Sequence, residues 1–301
     1  MKSPKNSAAS IRQRLLNHSK TYQKPFNEIL QYYSMERFLY RLSLSQHKNK
    51  FILKGALMLR VWNAPESRPT MDIDMLGKTS NDEINIVQQM KEILSVNVPE
   101  DGLAFDATTM QAERIKEDAD YHGIRILFKG NLDTAKIHMQ IDIGFGDVVY
   151  PVPKKSLMPT ILDLPAPELL TYSRETAIAE KFEAIIKLGS LNSRMKDFYD
   201  IWMLSRQFDF NGKELSEAIR LTFENRNTVL SDDIEAFSNQ FIQLKQTQWL
   251  AFTKRLKQEY VPIQFQEIIS KIQAFLYPLV LTFSQQNPMP QKWCSITCQW
   301  S

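Results

Sequence analysis

The chain has 301 residues, 43% hydrophobic and 24% charged, with nine glycines and 14 prolines; it can bury a substantial core and is neither low-complexity nor repetitive. No apolar run reaches the roughly 18–20 residues that span a bilayer, and the opening Met1 to Asn6 lacks the apolar core of a signal peptide. A net charge of +3 with a pI near 8.6 is compatible with a nucleic-acid partner without identifying one, and the only two cysteines, Cys294 and Cys298, stand at no zinc-site spacing, so a reducing, cytoplasmic location is expected.

Residues 1–50 read as a helical segment. Ile11, Leu15 and Leu16 form one apolar stripe, and Phe26, Ile29, Leu30, Tyr33, Phe38 and Leu39 form another after Pro25. From Phe51 to about residue 165 the pattern turns strand-like, and here the sheet is expected. Phe51–Leu53 predicts a short strand entering Gly55 and a helix over 56–62. Asp72–Leu76 predicts a second strand, and Ser80 with Glu83 has the spacing of a capping box opening a helix to about Leu94. Residues 121–128 and 136–143 predict a hairpin, with Gly130-Asn131-Leu132-Asp133 as its turn.

Five prolines between Pro151 and Pro167 punctuate a connection, and beyond it everything reads as helix, over about 167–188, 193–206, 212–226, 231–256 and 264–279. The expected class is therefore α+β: a mixed sheet with flanking helices over 51–165, and a C-terminal helical domain over 166–301.

Chemistry enters at Met71-Asp72-Ile73-Asp74-Met75. Strand alternation puts the hydrophobic side chains on one face and both aspartates on the other, about 6.6 Å apart along the strand. Two anions facing one space are unfavourable unless a cation or donors neutralise them. The pair is either a solvated strand face or a magnesium site. The run Ile137 to Ile143 repeats the alternation and puts Asp142 on the face opposite its isoleucines, so a third carboxylate is available to hold metal or accept a proton. Upstream, Lys54-Gly55 sits where a strand meets a helix start. It is either a tight turn or a phosphate cradle made of free backbone N–H groups.

These segments occur in an order that resembles the AbiEii/AbiGii toxin family of nucleotidyltransferases, within the DNA polymerase beta-like superfamily. The matching blocks are Leu53-Lys54-Gly55-Ala56-Leu57, residues 68–74, residues 141–147, Ala179-Glu180-Lys181-Phe182-Glu183-Ala184 and residues 192–200. The resemblance implies a nucleotidyltransferase-type sheet, Mg²⁺, an NTP substrate, an acceptor hydroxyl that is a tRNA 3′ end or another RNA in some members, and a cognate antitoxin within a toxin–antitoxin or abortive-infection system. It implies metal or catalytic roles for Asp72, Asp74 and Asp142, catalytic roles for Lys181 and Asp197, and NTP contacts from Lys54, Gly55, Thr70, Lys181, Arg194 and Lys196. Ala56 departs from the pattern. It removes a side-chain hydroxyl from the phosphate turn and leaves only backbone donors there.

Helical spacing sets Lys181 on or beside an apolar stripe with Ile178, Phe182 and Ile185, so it either snorkels or directs its ammonium at the triphosphate across a domain cleft. Arg194, Lys196, Asp197 and Asp200 share two turns. They are expected as exposed Arg194–Asp197 and Lys196–Asp200 pairs, or as an edge that binds triphosphate or acceptor. Two other classes remain open: a phosphotransferase acting on protein hydroxyls such as that of Thr70, and a non-catalytic protein that binds RNA or a partner.

Overall fold

The computed structural model describes residues 7–64, 68–118, 121–284 and 288–301. The opening segment Met1 to Asn6 lies outside them. Two compact units divide the chain: one is formed by the residues up to Asp147 with Pro153–Tyr172, and the other by Val148–Val152 with Ser173–Ser301.

The first unit is α+β. Helices α1 (Ala8–Thr21) and α2 (Phe26–Leu44) precede β1 (Phe51–Lys54), a 3₁₀ turn (Gly55–Leu57) and the single-turn α3 (Met58–Val61). Then come β2 (Ile73–Gly77), α4 (Glu83–Leu94), β3 (Leu103–Asp118), β4 (Tyr121–Leu132), β5 (Ala135–Phe145), β6 (Lys154–Leu157) and β7 (Glu168–Thr171). The seven strands form one mixed sheet in the order β3-β4-β5-β2-β1-β7-β6. The β2/β5 and β1/β7 pairs are parallel and the others antiparallel.

Alternation builds the core. Leu53, Ile73, Met75, Ile124, Ile126, Ile141 and Ile143 point to one sheet face and are buried with Ile11, Leu15, Tyr33, Phe38, Ile86, Met90 and Ile93 of α1, α2 and α4. Polar ties fix α2 over the sheet. Gln31 donates to the carbonyls of Met71 (2.9 Å) and His138 (3.1 Å), just upstream of the two aspartate-bearing segments. Arg41 grips Asp101 with two bonds of 2.6 and 3.2 Å, and Tyr33 donates to the Asp101 carbonyl at 2.7 Å. The buried Glu36 pairs with Arg37 at 2.9 Å and accepts from the Ile161 N–H at 2.7 Å. Burial pushes its carboxyl up to about 7, with the Arg37 charge only partly opposing.

The second unit contains α5 (Arg174–Leu188), α6 (Met195–Gln207), β8 (Phe210–Asn211), α7 (Gly212–Asn225), α8 (Asn239–Leu256), α9 (Phe265–Ser284), β9 (Lys292–Cys294) and β10 (Gln299–Trp300). Among the described residues, no helix of either unit is long and apolar enough to cross a membrane.

Several expectations need correction. The helix at Glu83 is capped by Asp82, whose carboxylate accepts the Asn85 N–H at 2.9 Å, while Ser80 accepts from Asp82 N. Strand β3 was not expected. Its pairing with β4 shifts register between Asp106 and Gln111, and that segment, Asp106-Ala107-Thr108-Thr109-Met110-Gln111, carries no clean alternation. The hairpin forms, but its turn is Asp133-Thr134 rather than residues 130–133. Residues 168–171 are strand rather than helix, because Pro165 and Pro167 favour extended backbone and the Ser173 hydroxyl caps α5 by accepting Thr176 N at 3.0 Å. Helix α8 starts at Asn239, with Ser238 as its cap. The C-terminal unit is not wholly helical, since β8, β9 and β10 form a small antiparallel sheet. Cys294 and Cys298 flank its β9–β10 turn as free thiols.

Candidate metal centre

The expected aspartates come together. Parallel pairing of β2 with β5 sets Asp74 directly opposite Asp142 in register, and Asp72 stands two residues earlier on the same side. One carboxylate oxygen from each of Asp72, Asp74 and Asp142 lies within 4.8 Å of the others. Three hard oxygen donors at that spacing suit Mg²⁺ or Mn²⁺, which prefer carboxylates, so the residues fit a divalent cation.

Each carboxylate is positioned separately. The Thr70 hydroxyl donates to Asp72 Oδ1 at 2.5 Å, and the backbone N–H of Thr70 donates to the Tyr32 hydroxyl at 3.0 Å. Burial raises the pKa of that phenol. Asp74 lies against the backbone of Gly55. A Cβ there would overlap the Asp74 carboxylate, and residue 55 has φ +73°, so glycine serves both the close approach and the backbone conformation. Asp142 is held by a residue the sequence reading missed: Arg125 Nε and Nη2 each donate at 2.8 Å, one to each carboxylate oxygen. Gln140 Nε2 adds longer contacts of 3.3 and 3.2 Å.

The strand registers line these groups up across the sheet. Glu113 of β3 faces Arg125 of β4, Arg125 faces Asp142 of β5, Asp142 faces Asp74 of β2, and Asp74 faces Lys54 of β1. The row places two anions at its centre and a cation on either side. The hydrogen bonds to Asp142 raise the Arg125 pKa, and the Glu113 and Asp72 charges add to this, so the guanidinium is a fixed positive charge. Lys54 is buried. Its ammonium pairs with Asp147 at 3.0 Å and lies 5.7 Å from the Tyr172 ring centroid. The expected strand, glycine turn and helix start at residues 51–56 is present, but the helix begins as a 3₁₀ turn and α3 is only four residues long.

The second unit gathers the remaining expected residues. Lys181 of α5 reaches Asp197 at 3.0 Å and Asp200 at 2.8 Å on α6, and Arg194 Nε lies 2.6 Å from Asp197. Asp197 and Asp200 are buried, so the expectation of exposed pairs is corrected, and Asp200 takes Lys181 as its partner where Lys196 was expected. Lys196 itself is exposed. Lys181 is neither snorkelling freely nor packed in hydrocarbon; two buried carboxylates fix its ammonium. Next to it on α5, the fully buried Glu183 pairs with Arg226 at 2.9 Å and accepts from Thr228.

No curated protein matches the chain. Two crystal structures from Helicobacter pylori are similar to it, one of a candidate nucleotidyltransferase and one of JHP933. Each has a TM-score of 0.47 at 12% identity, over 90% of this chain and 97% and 95% of theirs, respectively. The family model of the nucleotidyl transferase AbiEii toxin, of type IV toxin–antitoxin systems, matches residues 37–271, from α2 through the carboxylate strands and into α9; the chain belongs to that family.

Proposed function

We propose that this member of the AbiEii nucleotidyltransferase toxins is an Mg²⁺-dependent enzyme that moves a nucleotide from an NTP to an acceptor hydroxyl, with an RNA 3′ end such as that of a tRNA as the acceptor class. The observation that supports it most is the convergence of Asp72, Asp74 and Asp142 from two adjacent parallel strands. A divalent cation held by these three carboxylates would supply Lewis-acid stabilisation to charge on the α-phosphate. The chain's own groups do the orienting. Thr70 fixes the Asp72 rotamer, Gly55 admits Asp74, and Arg125 with Gln140 sets the plane of the Asp142 carboxylate. The acceptor hydroxyl gives up its proton to water, its oxygen bonds to the α-phosphorus as the bond from that phosphorus to the bridging β-phosphate oxygen breaks, and pyrophosphate leaves. The reading extends to Lys181 and Asp197 as residues required for transfer, and to a cognate antitoxin as the partner that restrains it.

The test is incubation with α-labelled NTPs, Mg²⁺ and total RNA. Label enters RNA with the wild-type chain and is lost with Asp74→Asn and Lys181→Ala. Equal labelling by wild type and Asp74→Asn overturns the reading. Label appearing on protein only from γ-labelled NTP replaces it with phosphotransfer.

A further inference from the structure

The Asp142 carboxylate is held by side-chain donors at both of its oxygens. Three donor nitrogens reach it: Arg125 Nε and Nη2 give one bond of 2.8 Å to each oxygen, and Gln140 Nε2 lies across both oxygens at 3.2–3.3 Å, which occupies most of the roughly four lone-pair sites of one carboxylate. Arg125 is one-third exposed, whereas Asp142 is largely buried, so the guanidinium can move more readily than the carboxylate. Behind it in the row stands Glu113, an exposed carboxylate in register with Arg125.

From this geometry, and resting on the metal-centre reading above, we infer that Arg125 is a positioning residue that acts as the resident cation of the carboxylate trio: it fixes the orientation of Asp142 and competes with a divalent cation for it. Arg125 thus weakens binding of the bare ion while keeping Asp142 aligned. Removing it has two separable effects. The site becomes more negative and binds a divalent ion more tightly, and Asp142 loses its fixed plane, so transfer slows. A neutral residue that merely holds β4 to β5 would not strengthen metal binding when it is deleted.

The experiment titrates Mn²⁺ alone into the full chain and reads free Mn²⁺ by electron paramagnetic resonance, for wild type, Arg125→Gln and Asp74→Asn. The expected result is about fivefold or more tighter binding in Arg125→Gln, alongside slower label transfer, and weaker binding in Asp74→Asn. Unchanged or weaker Mn²⁺ binding in Arg125→Gln, with Asp74→Asn still impaired, overturns the role of Arg125 and leaves the metal centre standing. Equal binding by all three chains, or none by any, overturns the metal centre itself. A second measurement does not depend on Arg125→Gln folding. The Arg125 Nε–H resonance of the wild-type chain, assigned by its loss in Arg125→Lys, shifts on adding Mg²⁺ if the ion takes a share of Asp142. A resonance indifferent to saturating Mg²⁺ overturns the inference.

Discussion

Replacing Gly55 with alanine adds one methyl group and tests the geometry of the centre directly. Residue 55 has φ +73°, a conformation that costs an L-alanine about 1–2 kcal/mol. Its Cβ would also occupy the space of the Asp74 carboxylate, so either the 3₁₀ turn or Asp74 must shift by about an ångström. A misplacement of that size at a reacting centre lowers rates by about 10²-fold. The fold has slack for the first effect, because about 1–2 kcal/mol is a fraction of the roughly 5–15 kcal/mol that holds a domain together. The expected outcome is therefore a folded Gly55→Ala protein with a modestly lower urea midpoint and label transfer at about one hundredth of the wild-type rate or below. Met71→Ala is the control. Its side chain is about half exposed on the same segment, and its transfer rate is expected to be unchanged. A Gly55→Ala protein that transfers at the wild-type rate refutes the claim that the glycine exists to admit Asp74.

Thr70→Val keeps the shape of the side chain but removes the hydroxyl that donates to Asp72 Oδ1. Label transfer is expected to fall about tenfold, the equivalent of about 1.4 kcal/mol, and Thr70→Ser is expected to restore it. At Glu36 the sign follows from a carboxyl pushed up to about 7 by burial in the folded chain. Between its ordinary value of about 4.5 and about 7, the folded state binds a proton that the unfolded state does not. Stability therefore falls as pH rises through that window, by about 3 kcal/mol in all. Glu36→Gln keeps an acceptor for Ile161 N and is expected to show a flatter dependence in urea unfolding between about pH 5 and about pH 8; parallel curves refute the assignment. In EDTA, Asp74→Asn is expected to stabilise the fold by about 1 kcal/mol, because one of three carboxylates within 4.8 Å loses its charge. Saturating Mg²⁺ is expected to reverse that order by stabilising the wild type more than the variant, as read by urea unfolding.

The residues that carry local periodicity were legible in the sequence. Alternation at 71–75 and 137–143 identified both central strands and the faces of their aspartates, and the apolar stripes identified α1 and α2. Arg125 was not legible, and the reason is a turn. With Leu132 opposite Ala135, seven steps back along one strand and seven forward along the other bring Arg125 to Asp142. A loop over 130–133 slides the pairing by four residues and hides the contact. Long-range partners such as Gln31 with Met71 and His138, or Lys181 with Asp200, depend on packing between elements distant in the chain, which no local pattern encodes. The small β8–β9–β10 sheet was missed for a related reason. Its strands are two or three residues long, too short for any periodicity to register.

The transverse row explains how a fold tolerates carboxylates that local rules disfavour. Like charges directly opposite one another on neighbouring strands are destabilising, yet Asp74 and Asp142 are such a pair, at the centre of the sheet and backed by a buried isoleucine and methionine layer. The neighbouring strands supply the compensation: Arg125 on β4 faces Asp142 and Lys54 on β1 faces Asp74. The two cations are not equivalent. Lys54 is buried and already paired with Asp147, so it braces the end of the strand. Arg125 is the more exposed and gives two N–H donors, from Nε and Nη2, to a candidate metal ligand, so it is the cation that a divalent ion would displace. The unlike exposure of the two flanking charges thus divides the row into a fixed side at β1 and an adjustable side at β4. A divalent cation held by the three aspartates would relieve the repulsion that remains at its centre.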